Sequence, residues 1–157
     1  MRNPPGLALS ALALLIFLVL SFGASTTGIL FGPGEWYDSL ERPFFAPPNW
    51  LFGPAWSLFY TLMAIAAMLA WRQAGLRSRA MAWWFIQLFF NALWTPVFFG
   101  LQSPGLGLLE ITFMWIAILI CLLQFRKVSK AAFWFMLPYL GWVTFAWILN
   151  AGFWWLN

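Results

Sequence analysis

Residues 7–30 read LALSALALLIFLVLSFGASTTGIL, an uninterrupted run of 24 residues with no charge in it. The hydrocarbon core of a bilayer, about 30 Å thick, is crossed by roughly 20 predominantly apolar residues in a helix. This stretch is long enough to span. A signal peptide would also begin behind a basic residue such as Arg2 and end near small residues such as Gly23 and Ala24. Its apolar core, however, runs only about 7 to 15 residues, so the stretch reads as a membrane span.

Four further apolar stretches follow, at 50–71, 80–100, 105–125 and 131–155, separated by proline, glycine and charged residues. Each is far longer than a membrane β-strand and none alternates between two faces, which excludes a barrel. Composition agrees: 64% of the 157 residues are apolar and 8% charged, against about 45–50% and about 25% in a soluble domain. The expected fold is an all-α integral membrane protein, a single domain over 1–157, built as a five-helix bundle with one long structured loop at 31–49. There is no histidine and one cysteine, Cys121. That inventory excludes His-ligated zinc or haem, cysteine-cluster metal sites, His-dependent triads and intrachain disulfides, and no metal or cofactor is expected.

Five spans put the termini on opposite faces, so the basic residues report orientation. Arg2, Arg72, Arg77, Arg79, Arg126, Lys127 and Lys130 fall on one face, and the other carries only Arg42 beside Glu35, Asp38 and Glu41. Positive charge concentrates on the cytoplasmic side of short loops. The N-terminus is therefore expected in the cytoplasm and the 31–49 loop outside it. The strength of this asymmetry and the lack of a transit-like leader favour a bacterial inner membrane over an organelle membrane. The net charge of +4 is thus an orientation signal, and with no continuous basic stripe no nucleic-acid partner is expected.

Thirteen tryptophans need sorting. Trp50, Trp71, Trp83, Trp84, Trp134, Trp154 and Trp155 lie near span ends, where indoles sit in the headgroup layer. Trp56, Trp94, Trp115, Trp142 and Trp147 lie deeper, where an indole N–H facing lipid lacks a partner, so some should face the interior. At about 1.5 Å per residue, Trp56 lies roughly 10 Å below the outer end of its span, with Tyr60 one turn deeper on the same face. Gln87, Asn91 and Trp94 share one face by i, i+4, i+7 spacing, as do Trp142, Ala146 and Asn150 at i, i+4, i+8. These stripes occupy one leaflet. Together they offer aromatic planes with a few amides and a phenol, the lining of a pocket for an aromatic ligand. Interhelical hydrogen bonding without a ligand is the competing reading for Asn91 and Asn150. Glu110, an ionisable group inside a span, either snorkels to the interface, pairs with Arg42 or serves a ligand.

The 31–49 loop carries Gly32, Pro33, Gly34, Glu35, Trp36 and Tyr37, then Arg42, Pro43, Phe44, Phe45, Pro47 and Pro48. Aromatic residues favour burial and prolines stiffen the path, so the loop reads as a semi-rigid lid over the outer-leaflet cavity. Pro96 and Pro138 are expected to break the third and fifth helices locally. Ala66, Ala67 and Ala70 allow close helix contact, although no convincing GxxxG dimer face is present.

Three segments carry a resemblance: WYDSLERPFFAPPNWLFGPAW at 36–56, QLFFNALWTPVFFG at 87–100 and PYLGWVTFAWILN at 138–150. In their polar and proline positions the chain strongly resembles the TspO/MBR family, also called tryptophan-rich sensory proteins, translocator proteins or peripheral benzodiazepine receptors, over nearly its whole length. The resemblance implies a five-helix bundle, often dimeric, that binds tetrapyrroles such as protoporphyrin IX and, in some relatives, cholesterol and synthetic drugs. By the same resemblance the ligand-binding residues would be Trp36, Tyr37, Trp56, Asn91, Trp94, Trp142 and Ala146, to which the stripes add Tyr60 and Asn150. Some bacterial relatives promote light- and oxygen-dependent porphyrin degradation, for which Trp56 and Trp142 would be the catalytic residues. The chain departs from the animal members' C-terminal cholesterol motif, because Leu149 and Asn150 are followed by Ala151, Gly152 and Phe153. Cholesterol recognition through that motif is not expected. Three functions therefore compete: a porphyrin binding protein or sensor, a slow photo-oxidative enzyme, and a transporter of porphyrin or lipid precursors. The chain has no internal repeat, paired broken helices or nucleotide-binding motif, which counts against active pumping.

Overall fold

A computed structural model describes residues 5–157. It contains five helices long and apolar enough to cross a membrane: a first span Leu7–Leu30, a second Asn49–Ala74, a third Arg79–Gly100, a fourth Pro104–Val128 and a fifth Lys130–Leu156. Among the described residues there is no strand. Arg2, counted above for orientation, lies outside the described residues.

Local chemistry sets the span ends. The second span stops at Gly75, whose φ of 77° is a left-handed conformation that glycine adopts without steric cost and whose N–H bonds Trp71 O at 2.8 Å. Ser78, Ser103 and Ser129 cap the next three spans by accepting from the N–H groups of Met81, Leu106 and Ala132. At Pro96 the third span loses a backbone donor, and its last turn, Pro96–Gly100, widens into a π-helical turn. Pro138 has no such effect. The fifth helix continues through it, held on either side by the fully buried Met136 and Tyr139.

The spans form a ring in the order first, second, fifth, fourth, third, with a thinner contact closing the third against the first. Small side chains make the tight seams: Ala64, Ala66, Ala67 and Ala70 of the second span have no exposed surface. Of the tryptophans near the span ends, Trp50, Trp134, Trp154 and Trp155 are exposed and Trp71 and Trp83 half-buried, with one exception. Trp84 is wholly buried, donates to Met63 O at 3.2 Å and meets Phe17 edge-on at 5.1 Å, so it is a core residue and not an interfacial one. Its axial position lies near the helix end, but its azimuth points inward. Trp115 and Trp147 form a crossed pair on the fourth–fifth seam, donating to Thr144 and Thr112 respectively, each at 2.8 Å.

The connection after the first span contains a short helix, Glu35–Ser39, and leads into a 3-10 turn, Asn49–Leu51. It folds back over one end of the bundle. Asn157 holds the Glu41 main chain on both sides, accepting from its N–H at 2.9 Å and donating to its carbonyl at 3.1 Å. Gly152 leaves room for Pro43, whose ring would come within 2.8 Å of a Cβ there.

Candidate functional site

Beneath this loop the spans do not close. Two adjoining lobes open in the half of the bundle nearer the loop, of about 340 and 240 Å³. Phe52, Trp56, Trp94, Thr95 and Gly28 line both lobes and form the partition between them. The first lobe is completed by Phe22, Ser25, Gly53, Ser57, Tyr60, Asn91 and Met114. The second lies under Tyr37 and Pro33 and reaches Phe98, Phe99, Trp142, Ala146, Leu149, Asn150 and Phe153.

Aromatic rings make the walls. Trp56 stacks on Tyr60 (5.5 Å, 26°) and meets Trp142 at a right angle (6.2 Å, 89°), while Phe59 stacks on Trp142 (5.4 Å, 22°). Trp94 stacks on Phe98 (5.0 Å, 23°). Such contacts fix ring orientation as well as burying area.

Polar groups are few, and most are already engaged. Tyr60 Oη donates to Asn91 Oδ1 at 3.0 Å, and Asn91 Nδ2 donates to Tyr139 Oη at 2.8 Å. Trp94 Nε1 donates to Asn150 Oδ1 at 3.2 Å, and Asn150 Nδ2 donates to Pro104 O at 2.7 Å. Asn91 and Asn150 thus join helices and also border the cavity, so both readings of them hold. The Trp142 indole N–H is different: it is buried and has no partner.

Of the residues singled out in the sequence, Tyr37, Trp56, Tyr60, Asn91, Trp94, Trp142, Ala146 and Asn150 line one lobe or both. Trp36 does not. It is half-buried against Phe98, edge-on at 5.7 Å. Glu110 neither snorkels nor pairs with Arg42: it is 6% exposed, and neither carboxylate oxygen has a partner. Arg42 is instead spent within the loop, donating to Asn49 Oδ1 and Pro47 O at 2.9 and 3.0 Å and lying 5.7 Å from the Tyr37 ring centroid. Burial pushes the Tyr37 phenol above its ordinary value of 10.0, with Arg42 opposing and Asp38 adding to the rise. Gln87 is wholly buried; its Nε2 reaches Met63 Sδ at 3.0 Å while its Oε1 has no partner.

Sequence reasoning missed Phe52, Phe98 and Tyr139. Tyr139 was legible in principle, since it lies one turn before Trp142 and Val143 on the inward face of the fifth span. The two phenylalanines were hidden among many similar residues, and nothing local marks which of eighteen faces a cavity.

The comparisons with known proteins agree with this architecture. The model of the TspO/MBR family matches residues 9–156. The tryptophan-rich protein TspO of Archaeoglobus fulgidus is 46% identical over 78% of this chain and 80% of its own. The tryptophan-rich sensory protein of Cereibacter sphaeroides is 40% identical, covering 87% and 85% of the two chains. The human translocator protein is 31% identical, with 74% and 71% covered.

Proposed function

Because the chain belongs to the TspO/MBR family of membrane proteins, we propose that it is a membrane-embedded binding protein and sensor for porphyrin-type ligands. The observation that carries this reading is the second lobe, where Trp56, Trp94, Phe98 and Trp142 surround an apolar space and the Trp142 N–H is unpaired. A flat macrocycle would lie against those rings. A ligand acceptor would take the Trp142 indole hydrogen, which is buried without a partner. Asn91 is bound on both sides by tyrosines, so its part is to hold Tyr60 in the wall and offer its remaining amide capacity. Porphyrin carboxylates would lie toward the loop, at the edge of the second lobe where Gly32, Pro33 and Asn49 are exposed. The membrane is a bacterial inner membrane in this reading, with the loop on its outer face.

Titrating the purified protein with protoporphyrin IX should quench tryptophan fluorescence saturably. Trp142→Phe keeps the aromatic face and deletes the hydrogen-bond donor, and should weaken binding by about 1 kcal/mol, or roughly fivefold. A Trp142→Phe, Asn91→Ala variant that binds as tightly as the native chain would refute the assignment of this site.

One contiguous set of rings favours a second reading. Trp142, Trp56 and Tyr60 succeed one another at centroid distances of 6.2 and 5.5 Å, close enough to pass an electron hole away from a light-excited porphyrin with oxygen as the acceptor. Bleaching of bound porphyrin under light separates this from binding alone. If the native protein and Trp56→Phe both bleach it no faster than free porphyrin does, the photo-oxidative reading fails.

A further inference from the structure

Toward the loop the cavity is capped except at the second lobe's edge, where Gly32, Pro33 and Asn49 are exposed, and it is also open along one side. On the loop side Tyr37 is 7% exposed and packs on Phe99 and Phe153 at 5.3 and 5.4 Å, Arg42 is tied to Asn49 and Pro47, and Asn157 clamps Glu41. The seam between the first and second spans is different. There the first lobe is bordered by Phe22, Ser25 and Gly28 on one helix and by Gly53 and Ser57 on the other. Phe22, Gly28, Gly53 and Ser57 are exposed, on helices long and apolar enough to cross a membrane. A Cβ at Gly28 or Gly53 would meet nothing within 4 Å.

The opening has a floor and a built frame. Phe22 packs on Tyr60 at 5.6 Å, and deeper in the membrane the seam is sealed by the buried alanines of the second span with Ala13 and Phe17. At the same level the first helix breaks at Thr26. Ser25, Thr26 and Thr27 donate their hydroxyls to the carbonyls of Phe22, Gly23 and Ala24 at 2.6, 2.7 and 3.1 Å. Beyond the break, the turn Thr27–Leu30 packs on the third span. Ser57 likewise donates to Gly53 O at 2.9 Å. The hydroxyls around the rim are therefore satisfied by their own helices and present no orphaned donor to a passing apolar body.

We infer that this seam is a lateral portal, through which a flat ligand dissolved in the loop-side leaflet of the bilayer enters the first lobe and then passes the Phe52, Trp56 and Trp94 partition into the second. The inference rests on the proposed binding site and adds the source of its ligand: the substrate class is one that partitions into lipid, and the water-facing loop is a fixed cap.

Gly53 lines the first lobe and not the second, so Gly53→Phe obstructs the portal while Phe98 and Trp142, the rings found in the second lobe alone, keep their places. With the protein in lipid nanodiscs and protoporphyrin IX delivered from donor vesicles, stopped-flow quenching should show association and dissociation both slowed about tenfold or more. Kd should stay within about twofold, the signature of a kinetic barrier. Asn157→Ala, which frees the loop clamp, should leave both rates unchanged. Unaltered rates in Gly53→Phe, or faster loading in Asn157→Ala, would overturn the portal. A ligand-independent arm uses a nitroxide on Ser57→Cys; the buried Cys121 stays unlabelled. The spin label should collide with oxygen and not with a water-soluble nickel chelate. Collision with the chelate would overturn the portal even where porphyrin binds. Failure of the native protein to take up protoporphyrin would defeat the binding reading, while the spin label still decides the portal.

Discussion

Asn91→Ala tests the organisation of the site at its most connected polar residue. The substitution removes the acceptor of the Tyr60 hydroxyl and the donor to the Tyr139 hydroxyl, at 3.0 and 2.8 Å. An interhelical hydrogen bond in a membrane protein contributes about 0.6 kcal/mol on average, whereas orphaning a buried polar group costs about 1–3 kcal/mol. The structure decides which figure applies to each partner. Tyr60 borders the first lobe, so its hydroxyl is not packed on every side and can turn toward that space, and the lower figure holds. Tyr139 has no exposed surface and keeps only Met114 Sδ, at 3.9 Å, as a partner, so its loss falls near 1 kcal/mol. The space left by the amide merges with the existing lobe and adds little. The sum is about 1.5–2 kcal/mol. Tyr139→Phe, which strands the amide N–H in the core, should cost about 1 kcal/mol, and Tyr60→Phe about 0.6 kcal/mol. Reversible unfolding in mixed detergent micelles measures all three. The reasoning fails if Asn91→Ala costs less than either tyrosine variant, or if Asn91→Ala combined with Tyr139→Phe is simply additive.

Two more outcomes follow from the same packing. The raised Tyr37 phenol sets the sign of an alkaline effect. The neutral form is favoured with the loop docked, so stability of docking is full below the ordinary pKa of 10.0 and declines as pH rises above it. Hydrogen exchange of residues 35–39 should therefore accelerate above that pH in the native chain and lose this dependence in Tyr37→Phe. Gly107→Ala would place a methyl 2.7 Å from Phe98 Cδ2 and 3.0 Å from Asn150 Oδ1. It should destabilise the fold by about 1–3 kcal/mol through overpacking and disturb the Trp94 to Asn150 bond, which near-ultraviolet circular dichroism would register. An unchanged spectrum and midpoint would contradict the packing described.

The five spans were readable because a bilayer demands a length of apolar chain, and length is a one-dimensional property. Depth was readable for the same reason: Trp56, Trp94 and Asn150 do meet around one cavity. Azimuth was harder. Trp84 lies close to a helix end, yet it points to the core and bonds Met63 O; position along the chain says nothing of the direction in which a side chain leaves the helix. Partners across the bundle were hidden too, because Tyr139 and Asn91 are 48 residues apart. Arg42 shows a third limit. Its pairing with Glu110 was a reasonable option by charge, but Asn49 and Pro47 lie within seven residues and satisfy the guanidinium at lower entropic cost.

An indole buried in a membrane must place its N–H somewhere, and this bundle answers that demand differently at different depths. Trp84 uses a main-chain carbonyl, Trp94 an asparagine, and Trp115 and Trp147 each other's neighbouring threonines. Those bonds cross between helices, so each also fixes the position of a wall. Among these deeper indoles Trp142 stands apart, because its buried nitrogen is unpaired and its ring faces the second lobe. An unpaired buried donor carries a penalty of about 1–3 kcal/mol. Lipid offers no acceptor to relieve it, and Thr144, two residues along the same helix, is already engaged with Trp115 and Leu140 O. A ligand that brings an acceptor into the lobe removes that penalty on binding. On the proposed reading the same donor would favour guests with an inward-facing acceptor over pure hydrocarbons of equal size, which is how a cavity with almost no free polarity would discriminate between a tetrapyrrole and an acyl chain.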